Sequence, residues 1–235
     1  MASRSKNTVV IIGSGPGIGS QTAAVFVSKR FDKVALIARN TEQLQKDANA
    51  IVGAAAGEIL VKTYSVDISD SNKFTTTLQQ ISNDLGTPEF VLVNAAIVAT
   101  SSFFEFSEEH ILKDFYISTI SLYHAAAWAI LQLTLLARQD PIAKPTLMVT
   151  NSNLPETPIV DLFSLSLSKA SQKNLTLSLR QKFGPQGIHI CLLTVAGGVA
   201  DGHPNLNSKN IANKAWKLYN QQKNEWTEDI IIQDP

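Results

Sequence analysis

The sequence predicts an α/β fold in one domain over residues 1–235: a doubly wound parallel sheet with helices on both faces. Three observations carry this. Short β-branched runs alternate with longer helical patterns along the whole chain. Most of those runs are continuously apolar, as strands buried on both faces are. No internal repeat, low-complexity linker or long charge run marks a second domain.

The elements follow in order. Residues 8–12 (Thr-Val-Val-Ile-Ile) read as a buried strand, and a helix over 17–29 opens from the glycine-rich turn behind it. Strands are expected over 34–38, 59–66 and 90–94, separated by helical patterns over 41–52 and 71–85. The longest helical pattern, 107–137, precedes a strand over 146–150. A helix over 163–183, a strand over 188–195 and a helix over 208–221 complete the alternation. The short run 230–232 fits an edge strand.

Composition narrows the function. Twenty basic and twenty acidic side chains cancel, which argues against a nucleic-acid partner, since such proteins carry a phosphate-neutralising basic face. The single cysteine, Cys191, excludes an intramolecular disulfide framework and a cysteine-rich zinc site. Four scattered histidines, His110, His124, His189 and His203, form no metal-binding pair, and no metal is expected. The start is basic and polar, and the apolar run behind it is too short for a secretory signal. The greasy stretch 125–137 is too short to span a membrane and reads as buried helix. No membrane association and a cytoplasmic location are therefore expected.

The first chemical signal is the stretch from Ile12 to Gly19, directly after the first strand. A glycine-rich strand-to-helix turn brings backbone N–H groups against a pyrophosphate, and the helix N-terminus adds partial positive charge. Ile18 breaks a GxGxxG pattern begun at Gly13; the pattern that fits is GxxxGxG at Gly13, Gly17 and Gly19, with Ser14 and Ile18 between them. A dinucleotide site for NAD usually presents a carboxylate about 20 residues further on. The second strand instead ends in Arg39-Asn40. An arginine there pairs with a 2′-phosphate, so NADP(H) is the expected cofactor.

The glycine turn, Asp67-Ile68 after the third strand and Asn94-Ala95-Ala96 after the fourth resemble the short-chain dehydrogenase/reductase family. The segment from Ser166 to Ala170 resembles that around the family's YxxxK, and the loop from Thr194 to Val199 resembles its PG loop beside the nicotinamide. The tail resembles its closing helix and strand. The resemblance covers nearly the whole chain. It implies a Rossmann-like fold, a small-molecule substrate and a homodimer or homotetramer built on the helices 107–137 and 163–183. It also implies cofactor contacts at Asp67, Ile68, Asn94, Ala95, Ala96, Lys169, Gly197 and Val199.

The departures bear on the chemistry. Four residues before Lys169, where the family carries its tyrosine, stands Leu165; the family's asparagine falls at Ser118, and the proline of the PG loop at Ala196. The serine position is kept as Ser152. Reducing a ketone places negative charge on oxygen, and some group must donate a hydrogen bond and then a proton. Leu165 does neither. Three ways out remain.

Another group acts as acid, with Asp161 before the lysine helix the first candidate and Tyr116, Tyr123 and His124 behind it. Or the substrate is an imine or iminium, already electrophilic, whose cation a carboxylate such as Asp161 stabilises. This second option is similar in outline to the tyrosine-deficient short-chain reductases of fungal indole-alkaloid biosynthesis, a branch of secondary metabolism. Or hydride transfer is lost, leaving a non-redox enzyme (an isomerase or cyclase) or an inactive NADP(H)-binding protein. Ser152, Lys169 and Asp161 are the candidate catalytic residues of an atypical NADPH-dependent reductase. The segment 201–207 is short where relatives carry a substrate cover, which fits an open pocket or a bulky substrate.

Overall fold

The structure, a computed structural model, describes residues 7–234. Residues 1–6 and 235 of the expected domain, and with them most of the basic start, lie outside the described residues.

Among the described residues seven strands form one sheet in the order β3-β2-β1-β4-β5-β6-β7, every pair parallel. They are β1 (Thr8–Ile12), β2 (Lys33–Ala38), β3 (Leu60–Ser65), β4 (Pro88–Val93), β5 (Thr146–Ser152), β6 (His189–Val195) and β7 (Asp229–Ile232). The α-helices that connect them are α1 (Ile18–Lys29), α2 (Thr41–Ala54), α3 (Ser71–Leu85), α4 (Glu108–Phe115), α5 (Ser121–Gln139), α6 (Phe163–Phe183) and α7 (Ser208–Tyr219). This is the Rossmann-like doubly wound sheet expected from the alternation of runs.

The inner strands are mostly hydrocarbon, as strands covered by helices on both faces are. On one side Phe74, Leu78, Leu122, Ala125 and Leu133 pack against Val10, Val91 and Val149. On the other, Phe26, Leu44, Ile51, Ile211 and Tyr219 pack against Ile11, Leu36 and Leu92. Helix starts are tied by short polar side chains: Asn40 accepts from Gln43 N at 3.0 Å, Asp70 from Lys73 N at 3.1 Å and Asn207 from Asn210 N at 2.8 Å. Each cap satisfies one of the N–H groups that a helix start leaves open.

Two expectations need correction. The helix expected over 107–137 is not continuous: α4 gives way to a π-helical turn, Tyr116–Ile120, before α5 begins. Just after it Ser121 Oγ, at the start of α5, donates to Ile117 O, and within it the Ser118 carbonyl accepts from Gln172 on α6. Side-chain insertion into the backbone ladder is what such a turn accommodates. Second, β3 is not buried on both faces. It is the sheet's edge, and only Tyr64 of its six residues is buried. At the other edge β7 pairs with β6, as the run 230–232 suggested.

The stretch Glu108–Gln139 has the length and apolarity to cross a membrane. Half of its apolar window is buried, however, and Leu122, Ala125, Ala129 and Leu133 are core residues. The order reverses between β1 and β4, so the crevice outside their carboxyl ends is where an open α/β sheet admits a ligand.

Candidate active site

Two cavities open side by side along that crevice, one of about 480 Å³ over β1, β2 and the turn after β3, the other of about 710 Å³ over β4, β5 and β6. The glycine turn divides them. Gly13 N and Ser14 N both donate to Ile37 O at 2.9 Å, and Asn94 Nδ2 donates to Gly13 O at 2.9 Å. Two backbones meet closely here. Gly13 has φ +95°, and a Cβ on it would stand 2.5 Å from Ala95 N. A Cβ on Gly19 would stand 2.6 Å from Gly13 O. The turn is packed so closely at these two positions that only glycine fits. Gly13→Ala is expected to destabilise the fold by about 2–4 kcal/mol, through left-handed strain and overpacking together, measured by urea unfolding; a loss under 1 kcal/mol would contradict the close approach.

The smaller cavity gathers Ser14, Arg39, Asn40 and Gln43 on one side and Asp67, Ile68, Asn94, Ala95 and Ala96 on the other. Arg39 is exposed at its rim, and no ion pair engages it among the described residues. Asn40 lines the cavity and also caps α2. Ser14 Oγ donates to the buried Asp47 at 2.7 Å. Burial pushes the Asp67 carboxyl up, but the Ser69 hydroxyl and amide, with Arg39 and Lys113 behind them, hold it below the usual carboxylate range.

The larger cavity is lined by Gly17 and Ile18 from the turn, by Ser152, Leu165 and Lys169, and by Gly197 and Val199 after β6. Gly19 lines neither cavity; it packs beneath the turn. Ser152 Oγ is partly buried and accepts from Leu154 N at 3.3 Å. Lys169 is buried, and its Nζ donates to Thr150 O at 2.8 Å and to Gln172 Oε1 at 2.9 Å. No carboxylate accompanies it, and burial pushes its pKa down to about 8.

That shift has a stability consequence. The unfolded lysine holds its proton to about pH 10.4, the folded one only to about 8. Between those values the unfolded state binds more protons, so this group makes the fold more stable as pH rises, by about 3 kcal/mol in all. Burial pushes Cys191, Tyr64 and Tyr219 upward, which acts in the opposite sense. The effect is therefore read as a difference: Lys169→Met is expected to lose the alkaline gain of about 3 kcal/mol relative to the parent in urea midpoints. Parallel curves for the two proteins would contradict it.

Asp161 stands elsewhere. It is exposed, lies outside the residues lining the cavity, and uses its backbone carbonyl to accept from Ser101 N at 2.8 Å. The bridge between Ser101 and Leu162 holds that turn against the loop after β4. Tyr116, Tyr123 and His124 line neither cavity. Two residues that the sequence reading passed over do matter. Asp201 is the one carboxylate lining the larger cavity, and Gln172 is wholly buried beside Lys169. Neither carries a motif; Gln172 lies three residues past Lys169, a spacing that puts both on one helix face. Among the described lining residues of the larger cavity there is no tyrosine and no histidine, and the ionisable ones are Lys169 and Asp201.

A glycine cradle at a helix N-terminus, with two cavities at the switch point of a parallel sheet, defines a dinucleotide-binding protein of the doubly wound class. The family model for short chain dehydrogenase matches residues 7–210. The chain belongs to the short-chain dehydrogenase family.

Solved structures share the fold. A metagenomic short-chain oxidoreductase in complex with NADP is 18% identical, with a TM-score of 0.82 and 96% of each chain covered. An alcohol dehydrogenase from the archaeon Thermococcus sibiricus, complexed with 5-hydroxy-NADP, is 18% identical, with a TM-score of 0.82, covering 98% of this chain and 99% of its own. An NADPH-bound short chain oxidoreductase from Pseudomonas aeruginosa PAO1, described as containing an atypical catalytic center, is 19% identical, with a TM-score of 0.82, covering 96% and 95%.

Proposed function

We propose that this protein is an NADP(H)-dependent reductase with a non-standard active site, acting on a small molecule whose acceptor carbon is a carbonyl or, better matched to Leu165, an imine or iminium. It would act as a soluble cytoplasmic enzyme. One observation carries the reading: the cavity wall one turn before Lys169 is hydrocarbon, at Leu165, and among the described residues no phenol or imidazole lines the cavity.

Support for the cofactor comes from the close-packed glycine turn at the start of α1, where a Cβ at Gly13 or Gly19 would strike backbone, from Arg39 at the rim of the smaller cavity, without an ion pair among the described residues, and from the NADP- and NADPH-bound family structures. The bound cofactor supplies the hydride. Arg39 binds its 2′-phosphate, the glycine turn admits its pyrophosphate, and Lys169 donates to its ribose. Ser152 faces the substrate from β5. An iminium needs no proton from the protein, so a wall without a donor costs such a substrate nothing. Asp201, an exposed lining residue of the same cavity, offsets the charge of a cationic acceptor.

The test mixes folded protein and NADPH with a cyclic iminium or a ketone of the same skeleton, following loss of reduced-nicotinamide absorbance. Turnover of the iminium is expected; turnover of the ketone alone contradicts the reading, and no turnover of either points to a non-redox protein. Asp201→Asn is expected to lower iminium turnover by up to about fivefold, the upper end for a solvent-exposed charge pair, and an unchanged rate would remove that role.

The assembly reading is a homodimer or homotetramer. Tyr123, Leu131 and Leu135 of α5 are exposed and line a cleft with Leu179 and Phe183 of α6, an apolar face suited to a second copy. Light scattering on the eluted protein checks it; a monomer would refute it.

A further inference from the structure

We infer that Gln172 is a positioning residue of the cofactor site, whose side-chain amide clasps the Lys169 ammonium to the π-helical turn and aims its remaining N–H at the larger cavity. The inference rests on the proposed reading only in naming the cofactor that this N–H meets.

The hydrogen bonds define the clasp. Gln172 Oε1 accepts from Lys169 Nζ at 2.9 Å, and Gln172 Nε2 donates to Ser118 O at 2.9 Å. Both ends agree on the amide's orientation. Flipped, it would turn N–H toward an ammonium and oxygen toward a carbonyl, two repulsive contacts. Gln172 is 0% exposed, so neither partner is replaced by bulk water. An ammonium has three protons. Thr150 O takes one and Gln172 takes another, leaving one for the cavity that Lys169 lines.

Among the described residues no counter-ion does this work instead. On α6 itself, Lys173 is paired with Glu156. On α4, Asp114 accepts from Ser164 Oγ at 2.6 Å. From β5, Thr150 O accepts from the ammonium and Asn151 Nδ2 donates to the Lys169 carbonyl, and from the π-helical turn the Ser118 carbonyl reaches Gln172, all neutral groups; Asp201 is exposed on the loop beyond β6. On β6, His189 is stacked on Trp226, and the cations Arg180 and Lys182 sit in the last turn of α6. Burial alone perturbs the ammonium. A buried cation held by neutral oxygens keeps its proton only as well as those oxygens support it, and one of the two belongs to Gln172.

The test follows the Lys169 proton directly. Carbon-labelled lysine NMR from about pH 6 to about pH 10 brackets the titration and needs no cofactor. Gln172→Met removes the acceptor at similar volume and is expected to move the Lys169 midpoint down by about one pH unit, a tenfold change. Gln172→Glu replaces the acceptor with a charge and is expected to move it up by at least as much.

NADPH titrations across the same range give the second readout. Parent affinity is expected to fall above about pH 8, with the fall moving earlier in Gln172→Met and later in Gln172→Glu. A purely structural glutamine would lower the melting temperature in both variants without moving either midpoint in opposite directions. Unmoved midpoints in both folded variants overturn the inference. If NADPH fails to bind the parent, the functional reading fails while the NMR still decides this one.

Discussion

Leu165→Tyr is expected to raise ketone reduction by about 10²- to 10⁴-fold, the range that a positioned general acid supplies. The side chain at 165 is 5% exposed, lines the larger cavity and lies four residues before Lys169 on the same helix. A phenol there would stand within reach of a cation that stabilises its ionised form. The added ring has open volume in front of it, so overpacking is expected to cost under about 3 kcal/mol. Steady-state rates with a ketone panel and NADPH measure the gain, and a melting curve accompanies them. A folded Leu165→Tyr protein with no gain would mean that the cavity is shaped for other chemistry.

Arg39→Ala is expected to weaken NADPH binding by about 10- to 100-fold and to leave NADH unchanged, since charge-assisted hydrogen bonds to phosphate are worth about 1.5–3 kcal/mol. The guanidinium is exposed and has no ion pair to release among the described residues. Its removal therefore costs the protein itself little, and the change in affinity reads the phosphate contact. Calorimetric titrations of both nucleotides into both proteins separate the two. Equal losses for NADPH and NADH would place the 2′-phosphate elsewhere.

Much of this architecture is legible in the chain because local and tertiary demands coincide. The run Thr8–Ile12 is both β-branched and buried on both faces, so composition and environment give one answer. The glycines at 13 and 19 are forced by backbone proximity, which leaves a trace in spacing. The π-helical turn left no such trace. Residues Tyr116–Ile120 continue the helical pattern, and the interruption accompanies a bond from Gln172, some fifty residues away. The edge position of β3 depends on strand order, which composition does not encode. Asp161 and Asp201 both flank loops over the sheet's carboxyl edge, and only the direction of the chain decides that Asp201 lines the cavity. Lys169 was legible through its family motif, but its partner Gln172 was not, because an amide three residues along a helix is common everywhere.

The central claim is that a phosphorylated nicotinamide nucleotide lies over the glycine cradle, between Arg39 and Lys169. Calorimetric titration of the folded protein with NADPH tests it most directly. Saturable binding at one site per chain, tighter for NADPH than for NADH, is the expected result; a folded protein that shows no saturable heat with NADPH would contradict the account.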